Sequence, residues 1–166
     1  MPIAWKKGRG KLGFLQPLIG DWVAVGDSPA GRYRCLRSYH PTLDSSYIEL
    51  RALWLFGPPA AEAKPATVLT QNDGGYRETA IIGAGADGEV GLWSFTSDGK
   101  RSEGKVADVS DLHTQAIGFH AQMPAGLARM SYWPDGDDNP DGFVMVVEAQ
   151  TTKGWSRMIE HHYRPL

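Results

Sequence analysis

From Tyr47 to Phe56 the chain alternates: Ile48, Leu50, Ala52, Trp54 and Phe56 fall on one side, Tyr47, Glu49 and Arg51 on the other. Side chains that repeat every second residue are what a strand with one buried face requires. Less regular runs of the same kind recur along the chain, at 21–26, 32–40, 67–71, 76–83, 89–96, 100–108, 112–123, 127–133, 143–150 and 155–164. Turn chemistry separates them: Asp27 to Gly31, Asn72-Asp73-Gly74-Gly75, Ala86-Asp87-Gly88, Ser97-Asp98-Gly99, Pro124-Ala125-Gly126 and Thr151 to Gly154. The turn at 72–75 is expected to join 67–71 to 76–83 as a hairpin. No long segment carries a helical period. About ten strands in short, locally connected order predict an all-β protein, a single antiparallel up-and-down barrel.

Residues 12–18 are apolar and stop near Pro17 and Gly20, which predicts one short helical turn, placed to plug a barrel end. Residues 1–11, with Lys6, Lys7, Arg9 and Lys11, read as a flexible tail, and 12–166 as one barrel domain. The Pro- and Ala-rich stretch 57–66 is the longest expected loop, a connector or a flap over the barrel mouth.

Strand parity then selects the interior. In 32–40, Tyr33, Cys35, Arg37 and Tyr39 share a side. In the last strand Trp155, Arg157, Ile159, His161 and Tyr163 share one face, and Ser156, Met158, Glu160, His162 and Arg164 the other. With the first of these faces turned inward, the cavity is cationic and aromatic. A buried arginine without a partner is costly. Either Glu78, Glu103 or Glu148 pairs with it inside, or an anionic ligand does. Arg37, Arg157 and Tyr163 are expected to hold the polar end of a ligand, with Tyr39 and His161 beside them. Trp54, Trp93, Phe119 and Trp155 are expected to form apolar walls.

Composition narrows the partners. The 166 residues carry 17 Lys and Arg against 19 Asp and Glu, with no long basic run after Lys11, so no nucleic-acid face is expected. Cys35 is the single cysteine, which precludes an internal disulfide and fits a reducing cytoplasm. No signal peptide and no apolar run of transmembrane length are evident, so membrane insertion is not expected.

Several motifs fail on context. Gly83-Ala84-Gly85-Ala86-Asp87-Gly88 has the letters of a dinucleotide fingerprint, but strand, not helix, follows it. Asp135, Asp137, Asn139 and Asp141 resemble half a calcium loop, yet Pro140 and Val146 stand where Gly and Glu are needed. There is no nucleophile elbow and no His/Cys set with zinc spacing, and Cys35 sits mid-strand as a buried thiol.

Leu18-Ile19-Gly20-Asp21-Trp22 resembles the Gly-x-Trp opening of the lipocalin and fatty-acid-binding superfamily. Size, short lead-in and strand number are similar to nitrobindin-like and bacterial lipocalin-like domains within it. The resemblance implies an up-and-down barrel around one apolar ligand, with Arg157 or Arg164 packed across Trp22. It also implies haem on a histidine near the C-terminus, whose positional equivalent is His161 or His162. The Arg-x-Tyr carboxylate clamp of fatty-acid-binding proteins matches in part, through Arg157 and Tyr163.

The reading is therefore a non-catalytic, cytoplasmic carrier of a small apolar or amphipathic molecule with an anionic end, with no cofactor or metal assigned. No catalytic residue is named, since Glu148, Glu160 and His161 are too loosely placed to define a base. A nitrobindin-like haem protein using His161 or His162 is the alternative. A plugged barrel serving protein contacts is another, and the sequence leaves room for a homodimer.

Overall fold

The computed structural model describes residues 5–28, 31–56 and 75–166. A 3-10 turn, Gly13–Leu18, leads into the first strand. The strands are β1 (Gly20–Ser28), β2 (Gly31–Thr42), β3 (Tyr47–Phe56), β4 (Tyr76–Ala84), β5 (Val90–Thr96), β6 (Arg101–Ala107), β7 (Ile117–Met123), β8 (Gly126–Pro134), β9 (Phe143–Thr151) and β10 (Gly154–Pro165). Each pairs antiparallel with its neighbour in sequence, and β1 pairs with β10 to close the barrel. The closing contact is short: Trp22 faces Pro165 and Val23 faces Arg164.

The two ends differ. At one end the 3-10 turn drives Leu15 and Leu18 into the barrel, both fully buried. The Trp22 indole N–H donates to the Leu18 carbonyl at 2.7 Å, which ties the plug to β1. Trp22 meets Phe143 edge-on, with ring centroids 4.8 Å apart, and Phe119 packs against Phe14 in the same apolar layer. Two residues of the expected tail make contacts here. Trp5 packs on the core and donates to the Gln115 carbonyl at 2.9 Å, and Lys11 bonds the Gly88 carbonyl. The opposite end carries the short hairpins. The expected flap and the expected 67–71 strand fall within residues 57–74, outside the described residues.

Two strand expectations are corrected. The run 112–123 is strand only from Ile117. The chain before it folds onto the outer wall, where Val109 sits so close to Gly118 that a Cβ there would lie 2.4 Å from a Val109 methyl. The second correction is in β10. Its pairing with β9 slips between Arg157 and Ile159, so Arg157 faces Glu148 while Ile159 faces Val147. One extra residue, Met158, stands 68% exposed at that bulge. A bulge reverses the in–out alternation beyond it, so the five side chains expected on one face divide between two.

Candidate functional site

Before the bulge, Trp155 and Arg157 lie on the outer wall. Arg157 reaches Glu148 at 3.5 Å and donates to Glu160 at 2.9 Å. Trp155 lies under the Arg129 guanidinium, 4.5 Å from its carbon, and beside His120. Arg129 itself is buried and bonded to Glu148 at 2.8 Å and Asp111 at 3.0 Å. Glu148 is thus committed outside and is not an interior counter-ion. Trp93, opposite Ile81 and Glu103, lies in an outer groove with Lys105 rather than on an inner wall. Neither candidate arginine crosses Trp22. Arg157 is elsewhere, and Arg164 pairs with Val23, one position off the face that Trp22 occupies.

After the bulge, Ile159, His161 and Tyr163 turn inward. They meet the inner face of β2, where Cys35, Arg37 and Tyr39 are all buried. Arg37, 2% exposed, donates through Nε to the Tyr163 hydroxyl at 3.2 Å and through an end nitrogen to the Tyr39 hydroxyl at 3.4 Å. Tyr39 donates onward to Tyr132 at 2.8 Å, and Tyr163 to the Cys35 sulfur at 3.1 Å. Among the described residues, no carboxylate pairs with Arg37 within 4.0 Å. Desolvation works against its charge, but the surrounding phenols and thiol hold its pKa above the ordinary arginine value. Arg37 is a cation at every pH at which the protein folds. Burial raises the pKa values of Cys35, Tyr39, Tyr132 and Tyr163, so these groups are neutral partners at neutral pH.

His161 completes the cluster. Its Nδ1 lies 3.2 Å from the Tyr163 hydroxyl. That hydroxyl also lies on the Cys35 sulfur, and the imidazole donates or accepts at Nδ1 according to its tautomer. The ring stacks on Tyr33, with centroids 4.5 Å apart, and leans on Trp54 at 4.8 Å. Desolvation, with help from Arg37 and His162, lowers its pKa to about 4, so it is neutral at pH 7.

Between this cluster and the hairpin end lies a cavity of about 190 Å³. Leu92, Met130, Met145, Val147 and Ile159 make its apolar side, and Tyr76, Thr96 and Met123 stand toward the open end. Trp54 lines it, with an indole N–H that is buried and has no hydrogen-bond partner among the described residues. Three charged residues border it: Arg37, Glu78 and Arg129. The last is neutralised by its own carboxylates on the outer wall. Glu78 accepts a hydrogen bond from Ser94 at 2.7 Å.

The structure therefore brings Arg37, Tyr39, Trp54, His161 and Tyr163 together inside the barrel. It places Trp93, Trp155 and Arg157 outside, and Phe119 in the packed plug layer rather than on the cavity. Of residues 83–88, Gly83 and Ala84 end β4 and the rest lie in the β4–β5 hairpin turn, closed by Gly85 N–H donating to the Glu89 carbonyl at 2.7 Å. Sequence reasoning missed Glu78 as a cavity group in its own right and Tyr132 as the end of the phenol chain. Parity in β4 and β8 could have found both, since Glu78 shares a face with Ala80 and Ile82, and Tyr132 with Met130.

No protein-family profile matches this sequence, and no curated protein is detectably similar to it.

Proposed function

We propose that the barrel binds a small, largely apolar molecule whose hydrogen-bond-accepting end sits on Arg37. The observation that carries this reading is the guanidinium itself. It is buried, it lines a cavity, and two of its five N–H groups go to phenols, while among the described residues no carboxylate, Glu78 on the same cavity included, lies within ion-pair distance of it. Burying a cation without an anion costs several kcal/mol, and a ligand acceptor offsets that cost when bound. The Trp54 indole N–H adds a second unmet donor. The cavity of about 190 Å³ has room for several water molecules, against the roughly 10–15 Å³ that one needs. It holds a small ligand or the head of a longer one. Non-catalytic carriage fits this arrangement, because no acid and base pair up on the cavity: Glu78 is held by Ser94, and His161 by Tyr163.

The haem alternative rests on His161, neutral and held at Nδ1 as a ligating imidazole would be. The residues around it do not fit a macrocycle. Tyr33 and Trp54 crowd the ring, with centroids 4.5 and 4.8 Å away, and the cavity of about 190 Å³ is far too small. The exposed His162 is engaged by Asp135 and Glu160 on the outer wall.

Native mass spectrometry of gently purified protein tests the reading. A retained organic molecule that is absent from the Arg37→Met variant supports it. Purified wild type with no adduct, and no binding of any apolar probe with an acceptor head, refutes it. A Soret band on haem titration, lost in His161→Ala, would favour the alternative instead.

A further inference from the structure

We infer that the ligand head is a neutral group with an acceptor beside a donor, of the carboxamide or lactam class, and not a bare carboxylate. The inference deepens the binding reading above and rests on it.

Its basis is the row of residues across β2, β3 and β4. Arg37 pairs with Ala52, and Ala52 pairs with Glu78. Antiparallel neighbours lie about 4.8 Å apart, so the cation and the anion flank a gap two strand spacings wide. The residue in the middle carries only a methyl group. A longer side chain there would stand between the two charges; with alanine between them, Arg37 and Glu78 both reach the same cavity.

The two charges do not close this gap themselves. Arg37 is turned toward Tyr163 on β10 and Tyr39 along its own strand. Glu78 is turned toward Ser94 on β5 through one carboxylate oxygen. Each is held away from the other, and no ion pair within 4.0 Å joins them. Free N–H groups of Arg37 and the Trp54 indole therefore offer donors on one side, and the second Glu78 oxygen offers an acceptor on the other.

A carboxylate satisfies Arg37 but meets Glu78 with like charge and no donor, in a site with little water to screen the repulsion. An alkylammonium has the reverse fault against Arg37. An amide carbonyl on Arg37 with its N–H on Glu78 satisfies both, and leaves the pair of interior charges balanced. The apolar wall of Met130, Met145, Val147 and Ile159 then takes the hydrocarbon part.

Calorimetric titration of the intact protein with hexanamide, hexanoate and hexylamine separates the cases. The inference expects hexanamide to bind at least about tenfold tighter than either charged probe, since an uncompensated buried charge costs more than the ~1.4 kcal/mol that a factor of ten represents. It expects Glu78→Ala to weaken hexanamide about fivefold or more, through the lost acceptor, and to tighten hexanoate. Glu78→Gln, which keeps the shape and the Ser94 contact, guards against a folding defect and should also tighten hexanoate. Hexanoate as the tightest probe, tightened further by both variants, overturns the inference while leaving the Arg37 binding reading intact. Hexylamine as the tightest probe also overturns it. Failure of all three to bind removes the inference and the binding reading together.

Discussion

Replacing Arg37 with methionine should remove ligand binding and at the same time leave the barrel as stable as before or more so. The side chain is 2% exposed, and no carboxylate faces it within ion-pair distance among the described residues. What it contributes in the empty protein is small. Its two hydrogen bonds are long, 3.2 and 3.4 Å, and bonds from a charged donor give about 1.5 kcal/mol each at the weak end. Its guanidinium lies 5.7 Å from the Tyr163 ring centre, which adds about 0.5 kcal/mol. Against about 3.5 kcal/mol of gain stands the desolvation of an uncompensated cation, several kcal/mol after relaxation.

Methionine is close in length, flexible, and able to fill the space beside Tyr39 and Tyr163. The phenols keep other partners: Tyr39 still reaches Tyr132, and Tyr163 still reaches Cys35 and His161. The expected balance is a gain of about 1–2 kcal/mol. Urea unfolding followed by tryptophan fluorescence would show the midpoint rising by up to about 1 M, given typical slopes of 1–3 kcal/mol/M. A midpoint lowered by the equivalent of 2 kcal/mol or more would refute the reasoning. Arg37 would then be a structural keystone of a filled barrel, and the plugged-barrel reading would gain what the carrier reading lost.

The outer wall should respond in the opposite sense. Glu148→Ala strands the buried Arg129 with only the exposed Asp111, and should cost about 2–4 kcal/mol in urea denaturation. Stability should also depend on His161. Its pKa is about 4 in the fold against about 6.5 unfolded, so the unfolded chain binds the proton first as pH falls. This histidine's stability contribution is fully present above pH 6.5 and lost progressively as pH drops toward 4, amounting to about 3 kcal/mol. His161→Phe should flatten that part of a stability–pH curve. Gly142→Ala should cost at least about 2 kcal/mol by thermal or urea unfolding, because its Cβ would lie 2.1 Å from the Tyr163 carbonyl oxygen, a backbone atom that cannot step aside.

Much of the barrel is legible in the sequence because its signals are local. The turns at 86–88, 97–99 and 124–126 and the alternation of 47–56 each constrain a few neighbouring residues, and nearest-neighbour pairing follows from short connections. The interior of β2 is legible for the same reason: β2 keeps its register with β3 unbroken from Tyr33 to Thr42, so parity carries Arg37 inward with Cys35 and Tyr39. The outer placement of Trp93 is less visible. Leu92 and Trp93 are both large and apolar, and only pairing with Gly104 and Glu103 decides which of them the core takes. The docking of Trp5 is not legible at all, since its partners Phe143 and Gln115 are distant in sequence.

The hidden feature with most consequence is the bulge at Met158. Trp-Ser-Arg-Met-Ile-Glu-His reads as unbroken alternation, because nothing in its letters marks where pairing slips. The cause is long-range. Glu148 on β9 must serve Arg129 from β8 and Arg157 from β10 on the outer wall. Two residues later the core requires an apolar residue and then His161 and Tyr163 against β2. Strict alternation would put Arg157 and His161 on one side, and a second buried cation beside Arg37 would repel it. One extra residue lets a single strand serve both walls. It keeps Arg157 at an acidic surface and leaves Arg37 as the cation of the β2–β10 cluster, with Glu78 beyond Ala52 as its counterpart in that row.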